Sequence, residues 1–242
     1  MKNLRREGGF TLVEVLFALF VGGLLMSAVY FTMISGQKSS AGVERKVAAQ
    51  QDVRAALDIM ALEIGMASYN PNYALGLWVQ APGDCAAAGT QSYRGIQEAT
   101  PMAITVEMDI GENGRIAGAD ANEVVRYAYN ADSQDITRSV NCGTADPLLG
   151  GAVPGTKTVN VINGNGRAGI NNGANPPVPA IFRYYDSSGS ELFPGTTPAN
   201  IPNIRRINIT LAVETEEADP GTRRKRQMNY STSVLVRNHG IN

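Results

Sequence analysis

Residues 8–34 read Gly8-Gly9-Phe10-Thr11-Leu12-Val13-Glu14-Val15-Leu16-Phe17-Ala18-Leu19-Phe20-Val21-Gly22-Gly23-Leu24-Leu25-Met26-Ser27-Ala28-Val29-Tyr30-Phe31-Thr32-Met33-Ile34. From Phe10 onward this is an apolar run long enough to cross a bilayer, and it carries one charge, Glu14. About 20 apolar residues suffice for a helical span. A bare carboxylate at the centre of such a span costs ~2.5–3.5 kcal/mol, and less near the interface. A chain that keeps it needs a partner for it. A cleaved secretory signal does not fit. Its apolar core would be ~7–15 residues and end at a small-residue site. An ordinary signal anchor would need neither the string Gly-Phe-Thr-Leu-Val-Glu nor the acid.

The run does not end at a cap. It passes into residues 37–68, which are charged and helix-forming. Val53, Leu57, Met60 and Ile64 recur at helical spacing, and Val43 and Val47 precede them compatibly. This predicts one apolar stripe that packs on a globular part. The helix should end near Ser68, where Asn70-Pro71-Asn72 blocks it. Residues 11–68 as one helix would span ~87 Å. Its first half lies in lipid and its second half is a spine. Gly22, Gly23, Gly36 and Gly42 are its soft points.

The chain has 242 residues and a net charge of −1. Residues 1–9 hold Lys2, Arg5, Arg6 and Glu7, so that segment is +2 and the remainder −3. No strongly basic surface follows, so nucleic acid is not an expected partner. The positive charges before the apolar run place the leader in the cytoplasm and the bulk of the chain outside it. Cys85 and Cys142, an even pair in an exported domain, are expected to form a disulfide. Roughly 170 residues remain beyond the helix, enough for one domain with its own core.

From Tyr73 onward the pattern changes to period two. Residues 103–108 read as a strand. Residues 123–130 and 135–140 read as a hairpin about Ala131-Asp132-Ser133-Gln134. Residues 180–185 and 190–193 flank the turn Asp186-Ser187-Ser188-Gly189. In 204–214, Ile207, Ile209, Leu211 and Val213 face one way, and Asn208, Thr210 and Ala212 the other. A last strand occupies 227–237. Residues 150–179, rich in Gly, Asn and Pro, read as loop. Strands gathered after one N-terminal helix argue for an α+β fold, the helix laid on antiparallel sheet.

Other motifs carry less. Gly164-Asn165-Gly166-Arg167-Ala168-Gly169 matches GxGxxG, but no helix can follow through Ile170-Asn171-Asn172-Gly173 and two prolines, so it reads as loop. Asp109, Asn113 and Asp120 faintly echo a calcium loop, with Gly114 at its sixth position. The third-position ligand and the bidentate glutamate are missing, although Glu112 or Glu123 would compensate. The bland reading is a polar turn. Arg223-Arg224-Lys225-Arg226 after Glu214, Glu216, Glu217 and Asp219 reads as a mixed-charge hairpin tip, with an acidic partner surface as the alternative. His239 is the single histidine, which argues against a multi-histidine metal site or a catalytic triad. No nucleophile–base pair is legible, so the chain is not read as an enzyme, and no cofactor is implied.

The opening string resembles the prepilin leader of type IV pilins and type II secretion pseudopilins. The resemblance is specific over Gly9 to Glu14. The order Ile181-Phe182-Arg183-Tyr184-Tyr185-Asp186, then 204–211, then a strand ending Val234-Leu235-Val236-Arg237-Asn238 resembles the W-type minor pilins and the related J-type pseudopilins. The resemblance implies cleavage by a prepilin peptidase between Gly9 and Phe10 and N-methylation of Phe10. It implies that Glu14 pairs with the free N-terminus of a neighbouring subunit. It divides the chain into a leader 1–9, a transmembrane half-helix 10–34, an amphipathic half 35–69 and a β-rich domain 70–242. The expected partners are the peptidase, other minor and major pilins, and an inner-membrane assembly platform. The expected place is the inner membrane, single-pass with a periplasmic domain, and then the pilus at the cell surface. A minor pseudopilin of a type II secretion system and a membrane-anchored adhesin are the alternatives.

Overall fold

The structure, a computed structural model, describes residues 10–116, 122–153, 155–163 and 180–240. One helix, α1 (Leu12–Gly65), has 54 residues and a length of about 81 Å. Its C-terminus closes at Met66, where the Met66 N–H donates to the Glu63 carbonyl and the Ala67 N–H to that of Ile64. Its buried residues are Gly42, Ala49, Val53, Ala56, Leu57, Met60 and Ile64. Val53, Leu57, Met60 and Ile64 therefore pack as the spacing predicts. Val43 and Val47 do not, at 58% and 43% exposed. At 100° per residue they lie about 100° and 140° around the helix from Gly42. Small residues set the buried face instead, because they let the sheet approach the helix axis.

The strands follow in chain order. β1 (Val79–Gln80) and β2 (Asp84–Ala88) form a small antiparallel pair. β3 (Ile96–Ala99), β4 (Ala103–Glu107), β5 (Val124–Asn130), β6 (Asp135–Val140) and β7 (Ala145–Leu149) form a five-stranded antiparallel meander in that order. β8 (Val159–Val161), β9 (Phe182–Tyr185), β10 (Glu191–Leu192), β11 (Arg206–Thr215) and β12 (Gln227–Leu235) form a second sheet, ordered β10-β9-β11-β12, with β8 also on β11. The fold is α+β, a long N-terminal helix packed on antiparallel sheets.

Residues 150–179 are not loop throughout, because Val159-Asn160-Val161 pairs with Val213 to Thr215. Its two valines are wholly buried. The GxGxxG string lies outside the described residues. The spacing also misses β7, whose Pro147 sits at a sheet edge, where a missing N–H is tolerated.

β11 shows why period two succeeds elsewhere. Ile207, Ile209, Leu211 and Val213 are all wholly buried, and β12 matches β11 residue for residue from Arg206↔Leu235 to Glu214↔Gln227. These side chains join Val53, Met60 and Ile64 of α1 in one core with Ile96, Ile104, Val125 and Tyr127 of the meander. At ~25 cal/mol per Å² of apolar surface, this shared core fixes the helix on the sheets. A second, smaller cluster of Leu77, Trp78, Ala81, Ile116 and Val124 surrounds the bonded Cys85 and Cys142. The two Cα atoms are 5.9 Å apart.

Candidate functional site

Thr11 has an extended backbone and caps α1. Its hydroxyl accepts the Glu14 N–H at 3.3 Å, while Glu14 Oε2 accepts the Thr11 N–H at 2.9 Å and the Thr11 hydroxyl at 3.0 Å. This is a capping box, which satisfies two orphan donors reciprocally and sets a negative charge at the positive end of the helix. Glu14 thus has work inside its own chain, signalled in the sequence by Thr-x-x-Glu. The described residues bring no hydrogen-bond donor to its other oxygen, Oε1. Phe10, one turn away, is 90% exposed, and no residue from 10 to 33 is buried. A Cβ at Gly22 or Gly23 would meet nothing within 4 Å.

The site is therefore a carboxylate with one oxygen held by its own helix and one open, on an apolar surface with no other charge. In a low-dielectric setting such an oxygen attracts a cation far more strongly than in water. Gly9 lies outside the described residues.

The calcium-loop residues are engaged in a turn. Asp109 is wholly buried, and its Oδ1 and Oδ2 accept the N–H groups of Asn113 at 3.1 Å and Gly114 at 3.0 Å. Asn113 Oδ1 accepts the Arg115 N–H, and Glu123 Oε1 accepts that of Gly111. Asp120 lies outside the described residues, and among those described no three His, Cys, Asp or Glu side chains are placed to hold a metal ion.

Two polar clusters escape the sequence reading. Glu63 of α1 takes a forked contact from Arg138 on β6, with Nη2–Oε1 at 2.6 Å and Nε–Oε2 at 3.1 Å, and also accepts the Tyr127 hydroxyl. His239 is wholly buried beneath the end of α1. Its Nδ1 is 2.7 Å from Ser68 Oγ and its Nε2 2.8 Å from the Ile201 carbonyl. Since a carbonyl only accepts, Nε2 carries the proton and Ser68 donates to Nδ1. Burial first, then Arg94 and Arg205 nearby, lower the His239 pKa to about 4, while the Ile201 contact opposes the shift. Neither cluster has a local sequence pattern.

A family model described as the prokaryotic N-terminal methylation motif matches residues 4–30. No curated protein and no solved structure gives a match. The match covers the segment that carries Phe10 and Glu14 and supports a type IV pilin-like prepilin. With the long, apolar and exposed first half of α1, it points to membrane anchoring, to processing by a prepilin peptidase and to a pilin-assembly context.

Proposed function

We propose that this chain is a minor pilin of the W type that helps to prime and assemble a type IV pilus, at or near its tip. The peptidase cuts between Gly9 and Phe10, and Phe10 is methylated. Before assembly the chain sits in the inner membrane with its domain in the periplasm, and afterwards in the pilus at the cell surface. The observation that carries the reading is the open Oε1 of Glu14 in an uncharged, unburied half-helix. The α-amine of a neighbouring minor or major pilin, delivered on the assembly platform, is the cation that fits it.

Glu14→Gln is the sharpest test, because glutamine keeps the capping box and removes the charge. Membrane insertion and leader cleavage should survive. Docking should weaken by about 3–5 kcal/mol, as when one side of a buried pair is removed. Glu14→Lys should be worse. Undiminished co-purification of the charge-reversed variant with the other pilins would refute the role. Deletion of the chain separates the pilus from the secretion alternative, as pili are lost in one case and an exported enzyme in the other.

A further inference from the structure

The β11–β12 hairpin is laid along α1 from top to bottom. Val234 lies against Gly65, since a Cβ there would come within 3.5 Å of it. The hairpin tip reaches Gly42, where a Cβ would stand 3.1 Å from the Asp219 carboxylate. Arg45 fastens the tip, donating to the Ala218 carbonyl at 3.0 Å and pairing with Glu217 at 2.6 Å. Gly42 is the first buried residue of α1, and residues 35–40 are all exposed. Among the described residues, the tip is therefore the end of the domain nearest the apolar half of the helix.

Its height above the bilayer follows from helix geometry. Residues 10–34 are about 37 Å long, more than the ~30 Å hydrocarbon core, so Ile34 lies at or just beyond the edge of that core. Gly42 stands about 12 Å further along. The head-group layer occupies roughly 5–8 Å of that distance. The tip thus hangs within a screening length, ~8–10 Å, of the lipid phosphates.

The tip is neutral in sum, with Glu214, Glu216, Glu217 and Asp219 against Arg223, Arg224, Lys225 and Arg226, but its pairing is uneven. Arg226 pairs with Asp219 at 2.7 Å, and Lys225 with Glu214 at 3.8 Å. Glu216 is turned aside to the Gly155 N–H and Glu44 to the Ser40 hydroxyl. Arg223 and Arg224 are exposed, and the described residues offer neither an ion pair. Lys38, exposed about 6 Å beyond Ile34, adds a further positive charge. The turn that presents the arginines is built for it. Asp219 Oδ1 accepts the N–H groups of Gly221 and Thr222, its carbonyl accepts that of Arg223, and its own N–H donates to the Arg224 carbonyl.

We propose that Arg223 and Arg224, at the tip of the β11–β12 hairpin, bind the phosphates of anionic phospholipid head groups in the leaflet from which the domain emerges. Guanidinium groups match phosphate bidentately. The contact holds the domain in one orientation on the membrane before assembly. It rests on the reading that residues 10–34 span the bilayer.

The test uses the full chain, reconstituted through its own helix into vesicles of phosphatidylcholine alone or of phosphatidylcholine with phosphatidylglycerol. A fluorophore on Thr222→Cys reports the tip, and lipids carrying a head-group nitroxide quench it. Cys85 and Cys142 are bonded and do not take the label. Quenching should be stronger in the anionic vesicles and fade in high salt. Each arginine near an anionic surface is worth about fivefold in the local equilibrium, so Arg223→Gln with Arg224→Gln should weaken contact by roughly twentyfold at low salt. Equal quenching in both vesicles overturns the proposal. So does lipid-independent quenching joined to loss of pilin co-purification in the double variant, which would assign the arginines to an acidic protein surface. Protein that fails to float with either vesicle would overturn the membrane span itself, and this contact with it.

Discussion

Glu63 ties the spine helix to the meander sheet, and its removal is the most informative stability test. Its carboxylate holds Arg138 through two hydrogen bonds and accepts the phenol of Tyr127, which is wholly buried. The pair is only 24% and 16% exposed for Arg138 and Glu63. Glu63→Ala leaves a guanidinium and a phenol in a site largely closed to water. Removing one partner of a buried pair costs ~3–5 kcal/mol, and the remaining exposure and the Arg138 contact to Asn122 at 2.9 Å reduce this to about 2–4 kcal/mol. Glu63→Gln keeps an acceptor and should cost about 1–2 kcal/mol. The triple change Glu63→Leu, Arg138→Met and Tyr127→Phe removes all three polar groups together and should return to within about 1 kcal/mol of the parent. Urea unfolding of the full chain in detergent reads this directly, with the single tryptophan, Trp78, as the buried reporter. A loss below about 1 kcal/mol for the alanine variant, or a triple variant as unstable as the single one, would refute the argument.

Three further outcomes follow. Cys142→Ser opens a loop with a sequence separation of 57 and should cost up to about 4 kcal/mol by loop-closure entropy, in the same urea assay. Burial lifts the Glu107 pKa to about 8 against the hydrogen bonds from the Val79 and Ala81 N–H groups, so the unfolded chain loses this proton first. Stability should then fall as pH rises from 4.5 to about 8, and Glu107→Gln should flatten that limb; an unchanged slope would contradict it. His239 acts on the other side: neutral in the fold and protonated below 6.5 when unfolded, it should weaken the fold as pH falls from 6.5 to about 4, a limb that His239→Gln removes in an acid titration.

The architecture was legible where burial repeats at a fixed period. The stripe Val53, Leu57, Met60 and Ile64 and the alternation of β11 both report a face turned to one core. Gly42, Ala49 and Ala56 were not, since close approach through a missing side chain leaves no hydropathy signal. β2 was equally hidden in Cys85-Ala86-Ala87-Ala88, and β7 behind its proline. At the site, Glu14 stands out because charge is so costly in an apolar run. The grip of Thr11 on it is spelled in the sequence as Thr-x-x-Glu. Ser68 and His239 meet across 171 residues, and Glu63 and Arg138 across 75, so no local pattern could join them.

The exposed stretch of α1 between the apolar half and Gly42 has a mechanical consequence. Residues 35–40 are Ser35-Gly36-Gln37-Lys38-Ser39-Ser40, and all are exposed among the described residues. Glycine and the three serines make this turn and a half about 2–3 kcal/mol poorer in helix propensity than alanine would. Above it the helix is held by the core, and below it, on the proposed reading, by the membrane. A pull along the axis therefore unwinds this junction first. Going from ~1.5 Å to ~3.5 Å per residue over 35–40, it lengthens by about 12 Å before any core contact breaks. With residues 10–34 held in a membrane as proposed, the domain would be tied to its anchor by a short extensible link.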